Sequence, residues 1–119
     1  MAQEDYNILV IDDNEDILFM LKSMLKYKGY RVSIKENVEN IESRIEALSP
    51  DIILMDMLLS GIDGCDICKQ IRKDVSLIIP IIMISVYPNA EKKCLEAGAN
   101  GFLCKPFEMN NLLKQFQRC

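Results

Sequence analysis

The runs "ILVI" at 8–11, "DIILM" at 51–55 and "IPIIMIS" at 79–85 are apolar almost without interruption. A strand with one wet face alternates apolar and polar residues, so these runs predict strands covered on both faces, as in a parallel sheet layered between helices. Two shorter runs, "YRVSI" at 30–34 and "GFL" at 101–103, complete a set of five. Helical periodicity fills the gaps. Residues 14–28 place Ile17, Leu18, Leu21, Met24 and Leu25 on one stripe, and Gly29 supplies a stop. Val38, Ile41, Ile45 and Leu48 repeat the pattern until Pro50 forbids its continuation. A third helix carries Ile67, Cys68 and Ile71, and a fourth follows Pro88 with Ala90, Cys94, Leu95 and Ala97, ending at Gly98. The last presents Met109, Leu112, Leu113 and Phe116. Parallel neighbours need crossover connections, and five strand-then-helix units supply them. The expected class is α/β, a doubly wound five-stranded parallel sheet with helices on both faces. In such a sheet a ligand site lies outside the carboxyl ends of the strands.

A chain of 119 residues, half of them hydrophobic, fits one domain with one sizeable core, spanning 1–119. The formal charge of −4 argues against direct nucleic-acid contact by this segment. No run approaches the roughly 20 apolar residues of a membrane span. The start "MAQEDYN" is acidic where a signal peptide is basic and then apolar, so a cytoplasmic location without membrane contact is expected. Five cysteines, Cys65, Cys68, Cys94, Cys104 and Cys119, form an odd set that suggests reduced thiols. Histidine is absent, which removes Ser-His and Cys-His catalysis and every imidazole metal site.

Polar residues gather where the topology puts a site. The first predicted strand runs into Asp12 and Asp13, the third into Asp56, the fourth into Ser85, and the fifth is followed by Lys105. Read singly, each has an ordinary role: an Asp pair after a strand is a helix cap, Ser85 a strand terminator, Lys105-Pro106 a turn. Together they make a different site. Three gathered carboxylates repel one another unless a cation intervenes, and an all-oxygen donor set favours a hard ion such as Mg²⁺. An anionic nucleophile beside a divalent cation, a lysine and a hydroxyl suits phosphoryl transfer, where positioning and charge neutralisation supply most of the catalysis.

The segments "ILVIDDNEDI", "DIILMDMLLSGIDG", "PIIMISVY" and "EAGANGFLCKPFEMNNLL" resemble the receiver domain of two-component response regulators over essentially the whole chain. That resemblance implies a (βα)5, flavodoxin-like and CheY-like fold. It implies that Asp56 accepts a phosphoryl group from the phosphohistidine of a sensor histidine kinase or a phosphotransfer protein. It further implies that Asp13, Asp56 and the backbone carbonyl of Leu58 ligate Mg²⁺, with Asp12 acting largely through water. Lys105 is then the partner of the phosphoryl oxygens, Ser85 donates its hydroxyl to one of them, and the Lys105-Pro106 bond is cis. Ser85 and Phe102 would form the switch, acting on the surface of the fourth helix, fifth strand and fifth helix, which a downstream effector or a second copy in a homodimer reads.

Other classes fit less well. A phosphohydrolase with an aspartyl nucleophile, of the haloacid dehalogenase kind, carries a second Asp two positions on, where this chain has Leu58. A flavin- or nucleotide-binding module wants a phosphate cradle after the first strand, and "DDNED" has the opposite charge. A degenerate receiver that signals by protein contacts alone has no need of the full set of acidic, hydroxyl and lysine positions. Cys65-x-x-Cys68 has no second pair to complete a tetrahedral site and reads as buried helix cysteines, while Cys104 beside Lys105 is a candidate low-pKa thiol.

Two departures from the family pattern, at Ser60 and Val86, bear on behaviour. Ser60 stands where proline is common, so the segment after Asp56 is expected to be more mobile. Gly61 and Gly64 are expected to allow backbone conformations other residues resist. Val86 follows Ser85 where a small residue is usual, and with Tyr87 it is expected to narrow access to Asp56. Phosphorylation by small donors should therefore be slow and the phosphoryl group long-lived. Val86→Ala should accelerate both its arrival and its loss in a time course of phosphorylated protein, and unchanged rates would refute the steric role.

Overall fold

The computed structural model describes residues 5–118. Its elements run β1 (Asn7–Ile11), α1 (Glu15–Tyr27), β2 (Arg31–Lys35), α2 (Ile41–Leu48), β3 (Ile52–Asp56), β4 (Leu58–Leu59), β5 (Ile62–Asp63), α3 (Gly64–Lys73), β6 (Ile81–Ser85), α4 (Glu91–Glu96), β7 (Gly101–Cys104) and α5 (Met109–Arg118). Five strands form one sheet in the order β2-β1-β3-β6-β7, and every neighbouring pair in it is parallel. The expected doubly wound sheet is thus the observed one.

The three apolar runs became the three central strands. Every residue of β1 and β6 is buried, and in β3 only the terminal Asp56 is less than fully covered. Pleat alternation divides their side chains between two cores. Leu9, Ile11, Ile53, Met55, Ile81 and Met83 pack with residues of α2, α3 and α4. Ile8, Val10, Ile52, Leu54, Ile82 and Ile84 pack with α1 and α5. The edge strand β2 is only partly covered, which matches its alternating sequence.

Local chemistry sets the boundaries. Asn14 caps α1, its side-chain oxygen accepting from the N–H groups of Asp16 and Ile17 at 2.9 and 3.2 Å. The second helix starts at Ile41, three residues later than its apolar stripe suggests, because Asn40 sits at φ 52. That left-handed residue breaks the right-handed path, and Val38 packs against the core from the preceding loop. A 3-10 turn at Pro88–Ala90 leads into α4, which has only six residues. The hairpin of β4 and β5 was not anticipated from the sequence. No helix among the described residues is long and apolar enough to cross a membrane.

At the end of the sheet away from Asp56, Arg72 of α3 ties three segments together. Its Nε donates to the Gly98 carbonyl at 3.0 Å, Nη1 to the Leu77 carbonyl at 3.3 Å and Nη2 to Asn100 Oδ1 at 2.7 Å. Asn100 Oδ1 also accepts from the N–H of Ile81, which opens β6. Gly98, at φ 108, must stay small because a Cβ there would lie 2.7 Å from Arg72 Cγ. Arg72→Ala removes these charge-assisted bonds and should cost about 2 kcal/mol in urea unfolding with an unchanged m-value. A loss under about 0.5 kcal/mol would show that water replaces the guanidinium.

Candidate functional site

The sheet order brings the carboxyl ends of β1 and β3 side by side, so the residues that follow them meet at one edge. Carboxylate oxygens of Asp12, Asp13 and Asp56 lie within 4.8 Å of one another. Lys105, just past β7, reaches over them, its Nζ 3.1 Å from Asp56 Oδ2 and 3.3 Å from Asp12 Oδ2. The Lys105-Pro106 peptide is cis, as expected. The Lys105 N–H donates to the Ser85 carbonyl at 2.7 Å, which fixes the start of this loop to the end of β6.

Asp12 is almost fully buried. Burial, and then the Asp56 charge, push its pKa above the ordinary 3.8, outweighing the Asn14 N–H and Lys105 that pull it down. For Lys105, burial works against the ammonium, yet hydrogen bonds and charge from Asp56 and Asp12 prevail and its pKa rises. The edge therefore holds more negative charge than one lysine neutralises, and an all-oxygen cluster of this kind can hold a hard cation.

Backbone groups orient the carboxylates. The Asn14 N–H donates to Asp12 Oδ1 at 2.9 Å and the Leu58 N–H to Asp56 Oδ1 at 3.3 Å. The start of α3 packs beneath Asp56 through Gly64. A Cβ on Gly64 would lie 2.6 Å from the Asp56 carbonyl oxygen and 2.9 Å from Met83 Cε, so this glycine serves close approach. Its expected conformational role belongs only to Gly61, whose φ is 84. Ser60 is not loose. Its N–H and Oγ both donate to Asp13 Oδ2 at 2.9 Å. Sequence reasoning missed this bond because it joins residues 47 positions apart through a turn that no periodicity reports.

Of the remaining expected residues, Ser85 ends β6, the strand beside β3, and the others lie on neighbouring elements. Ser85 is buried, and its Oγ accepts from the Tyr87 N–H at 3.0 Å, an arrangement that leaves the hydroxyl proton for another acceptor. Phe102, half-buried on β7, packs against the core shared with α3 and α4. Val86 and Tyr87 are each 53% exposed, and Val86 borders an apolar groove with Ile17, Met20, Lys105, Pro106 and Phe107. Cys65 and Cys68 are buried on α3, and Cys65 Sγ lies 3.4 Å from Cys94 Sγ on α4. Burial, aided by Cys94, pushes the Cys65 thiol up to about 12, so this pair is inert packing. Cys104 Sγ contacts the Lys105 carbonyl at 3.6 Å, while Cys119 lies outside the described residues.

The raised pKa of Asp12 gives a sign for pH dependence. The native state holds this proton more tightly than the unfolded chain does, so stability without metal falls as pH rises from 3.8 through the folded value. In EDTA at neutral pH, Asp12→Asn should raise Tm, and the difference should shrink as pH approaches 3.8. A lower Tm for the variant at neutral pH would show that the buried charge is not a net cost.

The family model for the response regulator receiver domain matches residues 8–117. The nisin biosynthesis regulatory protein NisR of Lactococcus lactis subsp. lactis is 32% identical over 114 residues, 94% of this chain and 49% of NisR. The alkaline phosphatase synthesis transcriptional regulatory protein PhoP of Bacillus subtilis (strain 168) is 35% identical over 116 residues, 93% of this chain and 48% of PhoP. The chain spans about half the length of these curated relatives. Among solved structures, the chemotaxis response regulator CheY4 of Vibrio cholerae matches with a TM-score of 0.84 at 27% identity, covering 95% of this chain and 97% of CheY4. A two-component response regulator from Clostridium difficile matches with a TM-score of 0.84 at 27% identity, covering 95% and 93%. Family, strand order and acidic edge agree, and the chain belongs to the response regulator receiver domains of two-component signalling.

Proposed function

We propose that the chain is a single receiver domain that accepts a phosphoryl group on Asp56 from the phosphohistidine of a sensor histidine kinase or phosphotransfer protein. The observation that carries this reading is the placement of Asp56 Oδ2 against Lys105 Nζ at 3.1 Å, inside a cluster of three carboxylates at the mouth of the sheet. A carboxylate there is held on a strand end and presented beside a cation, as an aspartyl nucleophile requires.

An Asp56 oxygen attacks phosphorus, the P–N bond to the donor imidazole breaks, and the imidazole leaves with that electron pair. Negative charge spreads over the equatorial phosphoryl oxygens, where Lys105 gives up part of its contact with Asp56 to meet it. Ser85 keeps its bond from Tyr87 and offers its proton to one of these oxygens. Asp12, Asp13, Asp56 and the Leu58 carbonyl are the groups that would hold Mg²⁺, and their donor set is of the hard, oxygen-only kind that ion prefers. When bound, Mg²⁺ supplies the positive charge that lets one anion approach another.

Ser85 and Phe102 would then carry the change to the face of α4, β7 and α5, read by an effector domain or a separate protein. Such a module serves signalling in the cytoplasm and assists only its own phosphorylation and dephosphorylation. The complete set of acidic, hydroxyl and lysine positions supports this reading over a receiver that works without phosphate.

Intact mass after incubation with acetyl phosphate tests it. One phosphoryl group should be added to the wild type with Mg²⁺, and none with EDTA or in Asp56→Asn. Addition to Asp56→Asn at the wild-type rate would overturn the assignment. No addition to either wild type or Val86→Ala, with no binding of beryllofluoride, would overturn the phosphorylation mechanism.

A further inference from the structure

Ser60 occupies an unusual backbone position for a residue with a side chain. Ser60 and Gly61 form the two-residue loop between β4 and β5, with φ values of 48 and 84. Tight hairpins of this kind need left-handed centres, and glycine or asparagine usually supplies them. A serine held there costs of order 1 kcal/mol unless something offsets it. The offset is visible: both of its donors, the N–H and the Oγ, converge at 2.9 Å on a single carboxylate oxygen, Asp13 Oδ2. Hydrogen bonds to an ionised acceptor are among the stronger ones proteins make.

The consequence lies with Asp13. This residue is exposed, at the start of the loop after β1, and an exposed aspartate ordinarily samples several rotamers. Two donors on one of its oxygens fix the plane of the carboxylate. A carboxylate has about four lone-pair directions, and two of them remain on the other oxygen, Oδ1. The arrangement is that of an outer-shell group orienting a metal ligand. Proline at position 60 could not provide it. Proline has neither donor, and its φ near −65° is incompatible with the 48° found here.

We propose that Ser60 is a positioning residue for the cation site, holding Asp13 ready so that Mg²⁺ meets an oriented carboxylate rather than a mobile one. The inference rests on Asp13 being a metal ligand, as proposed above. Ser60 touches neither the reacting atoms nor the ion. It acts by removing, before the ion arrives, the rotamer freedom that binding would otherwise have to remove.

Ser60→Gly is the informative variant. Glycine adopts the same φ without strain and keeps the N–H, so the hairpin is retained and only the hydroxyl is lost. Calorimetric titration of the phosphate-free protein with MgCl₂ reads the effect without any phosphorylation. Outer-shell partners of metal ligands are worth about 10- to 100-fold in affinity, and with one of two bonds kept the Kd should rise roughly 3- to 10-fold. Ser60→Pro, which loses both bonds, should weaken binding further. Thermal unfolding in EDTA establishes that each titrated variant is folded.

Equal Kd values for wild type and Ser60→Gly would overturn the inference and leave Asp13 as an unassisted ligand. Tighter binding by Ser60→Gly would overturn it in the opposite sense, since Ser60 would then compete with the ion. A wild type that binds no Mg²⁺ at millimolar concentration would overturn the metal reading itself, and this inference with it.

Discussion

Coverage of β1, β3 and β6 on both faces is the constraint from which the rest follows. A strand buried above and below can be joined to a parallel neighbour only by a crossover, and each crossover is a helix laid on one face. Because all five strands then point the same way, everything that follows a strand arrives at one edge. The chemistry collects there without any residue being placed individually. Asp12, Asp13, Asp56 and Lys105, spread over more than three-quarters of the chain, become neighbours through strand order alone.

That convergence has an electrostatic cost, which the local structure limits but does not remove. Asn14, Leu58 and Ser60 each aim an N–H at one of the three carboxylates, and Lys105 spans two of them. Burial still drives the pKa of Asp12 upward. An edge in this condition is responsive to added positive charge, which is a property a signalling site can use and a purely structural cluster would avoid.

The fold was legible because its signal is periodic. The continuous apolar runs identified the buried strands, and the 3.6-residue stripes identified the helices between them. The cluster was legible through topology, which told where to look before any motif was weighed. What escaped the sequence was local and aperiodic. The stripe through Val38 could not reveal that Asn40 turns left-handed and delays the second helix. Gly64 looked like a residue needed for its backbone conformation, whereas its role is to let the backbone pass within contact of Asp56. Ser60 looked like a loosened proline site because its partner, Asp13, lies in a different loop. Such contacts depend on three-dimensional proximity between segments that carry no shared pattern.

The two cores give the sheet a further meaning. Strand pleating assigns Ile8, Val10, Ile52 and Leu54 to the side of α1 and α5, and the same alternation carried one step further assigns Asp12 and Asp56 to that side. Met83 and Phe102, with Ser85 in the same alternation, belong to the side of α3 and α4. The acidic cluster and the aromatic thus address opposite compartments of one molecule, separated by a wall one strand thick. A rearrangement that begins among the carboxylates and is felt at Phe102 has to cross that wall, and the rim where β6 and β7 end, with the Lys105 N–H bonded to the Ser85 carbonyl, is one place where the two sides meet. The sheet is in this respect a partition, with one core packed on each of its faces and the polar residues gathered along its carboxyl rim.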